Sequence, residues 1–198
     1  ARDLIIGGFG LPPEYYRFFS RLQSGEGNCG ASMIAPDLLL TAGHCVLPPT
    51  AEVGYFSNSD IFETINIVEG FKHPGFDPIT LSYDFQIVRL ASEAANPAII
   101  ELNADPAVPS DTDTLVIMGI GDSNPGSSIG TATNFAVQAG TTALETDDAC
   151  QATRGFSVSY ADSLYESMFC AIRSYGETPN NGATNACSGD GGGPLLAV

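Results

Sequence analysis

Glycine and proline break this chain often enough to argue for a turn-rich, mostly β chain and against a helical bundle or coiled coil. There are 22 glycines and 13 prolines in 198 residues, well above their usual combined share of roughly 12%. Glycine loses the most backbone freedom inside a helix, and proline cannot donate the helical hydrogen bond. Several of the stretches between the breaks read as strands. Within Ile61–Ile67 the residues from Glu63 onward alternate polar and apolar, the pattern of a half-buried strand. Phe85-Gln86-Ile87-Val88-Arg89-Leu90 and Leu115-Val116-Ile117-Met118 are short apolar runs, the second ended by Gly119. The one helix candidate is short, from Glu145 to Ala152, with acidic residues in its first turn where the helix dipole favours them. Asn103 to Asp113 holds Pro106, Pro109 and three aspartates and reads as a linker. The chain is therefore predicted to be all-β in two halves that meet near residue 108.

Charge and cysteine usage narrow the function classes. Seven Lys and Arg stand against 23 Asp and Glu, a net charge of −16, which repels phosphate backbones and argues against a nucleic-acid partner. No apolar run approaches the roughly 18 residues of a membrane span. Ala1-Arg2-Asp3 does not open a secretory signal and reads as a mature or clipped start. Cysteines stand singly at 29, 45, 150, 170 and 187, without a CxxC pair. That spacing suits disulfides and predicts an oxidising location, secreted, extracellular or luminal. The odd count leaves either a free thiol or a partner outside this sequence. Asp105, Asp111 and Asp113 lack the ligand spacing of an EF-hand and fit a solvated linker better. No metal and no cofactor is expected.

Three stretches occur in a recognisable order. Cys29-Gly30-Ala31-Ser32-Met33-Ile34-Ala35-Pro36-Asp37-Leu38-Leu39-Leu40-Thr41-Ala42-Gly43-His44-Cys45 resembles the histidine segment of the chymotrypsin-like (trypsin-type) serine proteases. Tyr83-Asp84-Phe85-Gln86-Ile87-Val88-Arg89-Leu90 is similar to the aspartate segment of that family. Cys187-Ser188-Gly189-Asp190-Gly191-Gly192-Gly193-Pro194-Leu195 resembles its nucleophile loop, usually Cys-x-Gly-Asp-Ser-Gly-Gly-Pro. Ile5-Ile6-Gly7-Gly8 resembles the activated N-terminus, and Met168-Phe169-Cys170-Ala171 a further landmark. The resemblance implies two antiparallel six-stranded β-barrels in one trypsin-like domain, over 5–104 and 114–198 with 105–113 as linker. It also implies disulfides Cys29–Cys45 and Cys150–Cys170.

Such a site needs a hydroxyl, a base to take its proton, and a carboxylate that holds the base in the right tautomer. The resemblance puts His44 in the role of base and Asp84 in that of orienting carboxylate. The competing readings are a core histidine beside a structural cysteine, and an aspartate that merely caps a strand. Counting from Cys187 puts Gly191 where the family has its serine, so the nucleophile is missing, and Ser188 lies three residues too early. The oxyanion hole is backbone, the N–H groups of Gly189 and Gly191, and survives that loss. The glycine run lacks the Gly-Lys-Ser/Thr ending of a phosphate-binding loop.

Other departures point the same way. The position at the base of the specificity pocket is Asn185, which does not support a preference for Lys or Arg. Leu4, not a basic residue, precedes Ile5. If Ala1 is the true N-terminus, Asp190 lacks its Ile5 ammonium partner and the loop stays zymogen-like. The family continues past Val198 through strands that wall the cleft and carry the partner of Cys187. The second barrel is accordingly expected to be incomplete and Cys187 unpaired. These features together predict a catalytically inactive homologue acting as a binding or structural module for a protein or peptide, a candidate subunit of a larger assembly. The alternatives are an endopeptidase whose nucleophile is altered in this chain, and a secreted inhibitor or decoy.

Overall fold

Side-chain alternation decides which face of each strand turns inward. The fold was analysed in a computed structural model, which describes residues 10, 12, 15–121, 136–148, 166–172, 186 and 189–198. Among the described residues ten strands follow in order: β1 (Phe19–Ser24), β2 (Gly27–Ala35), β3 (Leu38–Thr41), β4 (Thr50–Ser57), β5 (Asp60–Lys72), β6 (Gln86–Leu90), β7 (Leu115–Gly119), β8 (Gln138–Glu145), β9 (Cys170–Ile172) and β10 (Leu195–Ala197). In β4 the buried positions are Ala51, Val53 and Tyr55, every second residue. In β6 they are Gln86, Val88 and Leu90, with Ile87 and Arg89 turned outward. The expected alternation in Glu63–Ile67 holds, with Ile65 buried between exposed Thr64 and Asn66.

The first six strands close into an antiparallel barrel in the order β1-β2-β3-β6-β5-β4. Closure leaves no free sheet edge in this half. Phe19, Leu22, Met33, Leu39 and Val88 are fully buried inside it, each worth about 2 kcal/mol of removed apolar surface. Arg21 is buried too, and its guanidinium is satisfied by an ion pair to Glu52, by Asn58 Oδ1 at 2.6 Å and by the Tyr55 hydroxyl at 3.1 Å. Burial pushes the Tyr55 hydroxyl from its ordinary 10.0 up to about 12, against the pull of the Arg21 charge.

The second half is a four-stranded sheet in the order β10-β7-β8-β9, so the architecture is all-β, with one closed barrel and one partial sheet. Met118, Ile120, Val137 and Ala139 from this half join the barrel's own hydrophobic cluster. Backbone bonds also cross between the halves, from Val137 N–H to Phe56 C=O (2.9 Å) and from Gly30 N–H to Gly191 C=O (2.9 Å).

The expected helix at Glu145–Ala152 needs correction at its start. Glu145 ends β8, paired with Cys170 of β9, because a ladder partner outweighs a weak local helix signal. Asp147 and Asp148 take helical backbone, and 149–152 lie outside the described residues. No helix among the described residues is long and apolar enough to cross a membrane.

Candidate active site

The segment carrying His44 leaves β3 and is pinned at both ends. Cys45 forms a disulfide with Cys29 of β2 and is itself buried. The Gln86 side-chain amide, also buried, donates to the Ala42 and Cys45 carbonyls, both at 2.9 Å. Thr41 Oγ1 donates to Gly30 C=O at 2.7 Å. These bonds fix Ala42 to Cys45, with Cys45 Sγ 4.0 Å from His44 Nε2.

Asp84 lies two residues before β6, next to Tyr83, whose φ is 51°. Tyr83 N–H donates to Ser167 Oγ at 3.0 Å and its hydroxyl to Glu166 Oε1 at 2.8 Å. That tether to the second half holds the turn in which Asp84 sits. The Asp84 carboxylate accepts twice from His44, from the backbone N–H at 2.7 Å and from ring Nδ1 at 2.7 Å. A carboxylate accepts only, so Nδ1 carries the proton and neutral His44 has its lone pair on Nε2. The His44 side chain is 44% exposed, which excludes a core histidine.

Gly191 stands opposite Nε2. A Cβ built there would lie 2.9 Å from His44 Nε2 and 3.1 Å from Cε1. The imidazole thus occupies part of the space that a side chain at 191 would need. Around it the loop is held by backbone. Gly192 has φ of 78°, and a Cβ there would collide with Thr41 Oγ1 and Gly30 O. Gly193 N–H donates to Asp190 C=O at 3.0 Å, and Met118 N–H to Pro194 C=O at 3.1 Å. Among the described residues neither Gly189 N–H nor Gly191 N–H donates to any acceptor. The Asp190 carboxylate accepts from Gly121 N–H at 2.7 Å and fits where Gly119 has no Cβ.

A cavity of about 920 Å³ opens beside these groups, lined by His44, Asp84, Phe85, Leu102, Gly191 and Leu195 among others. Cys29, His44 and Cys45 form a close donor cluster, but both sulfurs are spent in the disulfide and leave no thiolate for a metal. Asp105 and Asp113 cap turns instead, accepting from Ala107 N–H at 2.9 Å and Ser110 N–H at 2.7 Å.

The structure brings His44, Asp84 and Gly191 together. Cys170 is disulfide-bonded, while its expected partner Cys150, together with Ile5, Asn185, Cys187 and Ser188, lies outside the described residues. Sequence reasoning missed Gln86 and Tyr83. Gln86 was detectable by its phase, since it shares a face with Val88 and Leu90 and so had to be buried.

A closed barrel and a second sheet that set a His–Asp pair against a glycine loop define the fold of a chymotrypsin-like serine protease. The Trypsin family model matches residues 5–197, and the chain belongs to the trypsin family. It is 27% identical to "Serine protease 1" of Homo sapiens over 98% of this chain and 74% of that protein. It is 28% identical to "Anionic trypsin" of Canis lupus familiaris, again over 98% of this chain and 74% of the relative. Against "Trypsin" of Xenopus laevis the identity is 26%, over 98% and 75%.

Proposed function

We propose that this trypsin-family chain is catalytically silent toward peptides and serves as a protein- or peptide-binding or structural module, a candidate subunit of a larger assembly. The observation that carries this reading is Gly191 facing His44 Nε2, where peptide cleavage needs a hydroxyl. In this reading His44 remains a base, Asp84 orients it, and the N–H groups of Gly189 and Gly191 remain oxyanion donors without a nucleophile to serve. Loss of the serine from such a unit costs on the order of 10⁶ in turnover. In this reading Asn185, which the family resemblance assigns to the specificity position, lacks the charge that would select Lys or Arg. The Cys29–Cys45 disulfide supports an oxidising, secreted location. The intact His44–Asp84 pair favours a second reading, an endopeptidase whose nucleophile is altered in this chain.

Hydrolysis of a mixed peptide library separates the two. The 198-residue chain is expected to cleave nothing, and His44-dependent cleavage by it would overturn the proposal. Gly191→Ser is expected to stay inactive as well, because a Cβ at 191 displaces the His44 ring and the sequence departs from the family at Asn185. Misplacement by about 1 Å costs roughly 10²-fold. Robust cleavage by Gly191→Ser that disappears in Gly191→Ser/His44→Ala would favour the endopeptidase reading.

A further inference from the structure

We infer that the site, although silent toward peptides, hydrolyses small activated acyl esters such as aryl acetates, with a water activated by His44 in place of the missing side chain. This rests on the reading that the base survives while the nucleophile is absent. Three observations carry it. Asp84 holds the Nδ1 proton at 2.7 Å, so the Nε2 lone pair is presented to the cleft. Residue 191 puts no side chain in front of Nε2, and the cavity of about 920 Å³ reaches His44 and Gly191. Gly189 and Gly191 keep backbone N–H groups that no acceptor takes among the described residues. Phe85, Leu102 and Leu195 supply an apolar wall for an aryl group.

The step balances with water as the only co-reactant. Nε2 takes a proton from water as the water oxygen bonds to the acyl carbon, and the carbonyl oxygen takes the negative charge beside Gly191, which lines the cavity and whose N–H no acceptor takes among the described residues. When the carbonyl re-forms, the C–O bond to the aryl group breaks. The phenolate leaves and takes the proton back from Nε2, so the products are a carboxylic acid and a phenol. A peptide amine is too poor a leaving group for this route, whereas a phenolate departs unaided.

The test is hydrolysis of 4-nitrophenyl acetate by the 198-residue chain. A rate on the order of 10²-fold above background is expected from general-base catalysis, linear from the first turnover, slower in heavy water, and with no acyl adduct by intact mass. His44→Ala, an exposed position that should not disturb folding, is expected to return the rate to background. Asp84→Asn should return it close to background, because the amide N–H donates to Nδ1 and moves the ring proton onto Nε2. Gly191→Ala should lower it too, because its Cβ, 2.9 Å from His44 Nε2, displaces the ring and blocks the water's approach to it. Equal rates for the parent, His44→Ala and the unfolded chain would overturn the inference alone. So would an acetylated imidazole with no heavy-water effect, or a Gly191→Ala rate matching the parent. A burst with an acyl-serine adduct would overturn the proposed function as well.

Discussion

The two regions that meet at His44 are held in place by opposite means. On the barrel side, side chains do the positioning: Gln86 ties two carbonyls, Thr41 a third, and Cys29–Cys45 closes the loop. On the loop side from Gly189 to Pro194, closeness of backbone does it. Gly192 and Gly193 sit where any Cβ would strike Gly30 O or Met118 O. A region built from side chains loses a function when one of them changes. A region built from bare backbone keeps its shape when residue 191 has no side chain. This is how, in the proposed reading, the surroundings of His44 persist with no side chain at residue 191.

If the loop depends on bare backbone, adding one methyl group there should be the largest insult. Gly192→Ala combines overlap with a left-handed φ and is expected to cost about 4 kcal/mol in chemical denaturation. Gly25→Ala, with nothing within 4 Å of the new Cβ, should change stability by less than about 0.5 kcal/mol. Equal effects at the two positions would break the comparison. On the barrel side, Cys29→Ala/Cys45→Ala removes a cross-link between residues 16 apart and should cost about 3 kcal/mol by the same measurement.

Smaller effects sharpen the contrast. Gln86→Leu leaves the Ala42 and Cys45 carbonyls without their donor in a buried site and is expected to cost about 2 kcal/mol. It should also loosen the His44 segment, readable as faster amide exchange at 42–45 than in the parent. Tyr55→Phe should cost about 1 kcal/mol at neutral pH, from lost bonding to Arg21 and Asn58. Because the folded-state Tyr55 titrates near 12 rather than 10.0, its contribution is fully present below pH 10 and is lost as pH rises toward 12. Tyr55→Phe should flatten that alkaline fall in stability.

The sequence made the barrel half legible where side chains alternate, as in Glu63–Ile67, and where motif residues carry chemistry, as with His44 and Asp84. Gln86 was hidden because it sits inside an apolar run, Phe85–Leu90, whose members read as one buried stretch. In the folded chain Phe85, Ile87 and Arg89 turn outward, and only the phase set by Val88 and Leu90 reveals that the amide is inside. Tyr83 was hidden for a different reason. Its partners Glu166 and Ser167 are more than 80 positions away, and no local pattern encodes a contact that distant. Glu145 shows the remaining kind of miss, a local helix preference overruled by a cross-strand partner, Cys170.

The central claim, that no hydroxyl stands before His44 Nε2, is tested most directly by a serine-directed fluorophosphonate probe followed by intact mass and peptide mapping. Such a probe bonds covalently to a serine activated by an adjacent base. The 198-residue chain is expected to remain unlabelled after prolonged exposure, with its intact mass unchanged. Stoichiometric labelling, mapped to a serine beside His44, would contradict the claim.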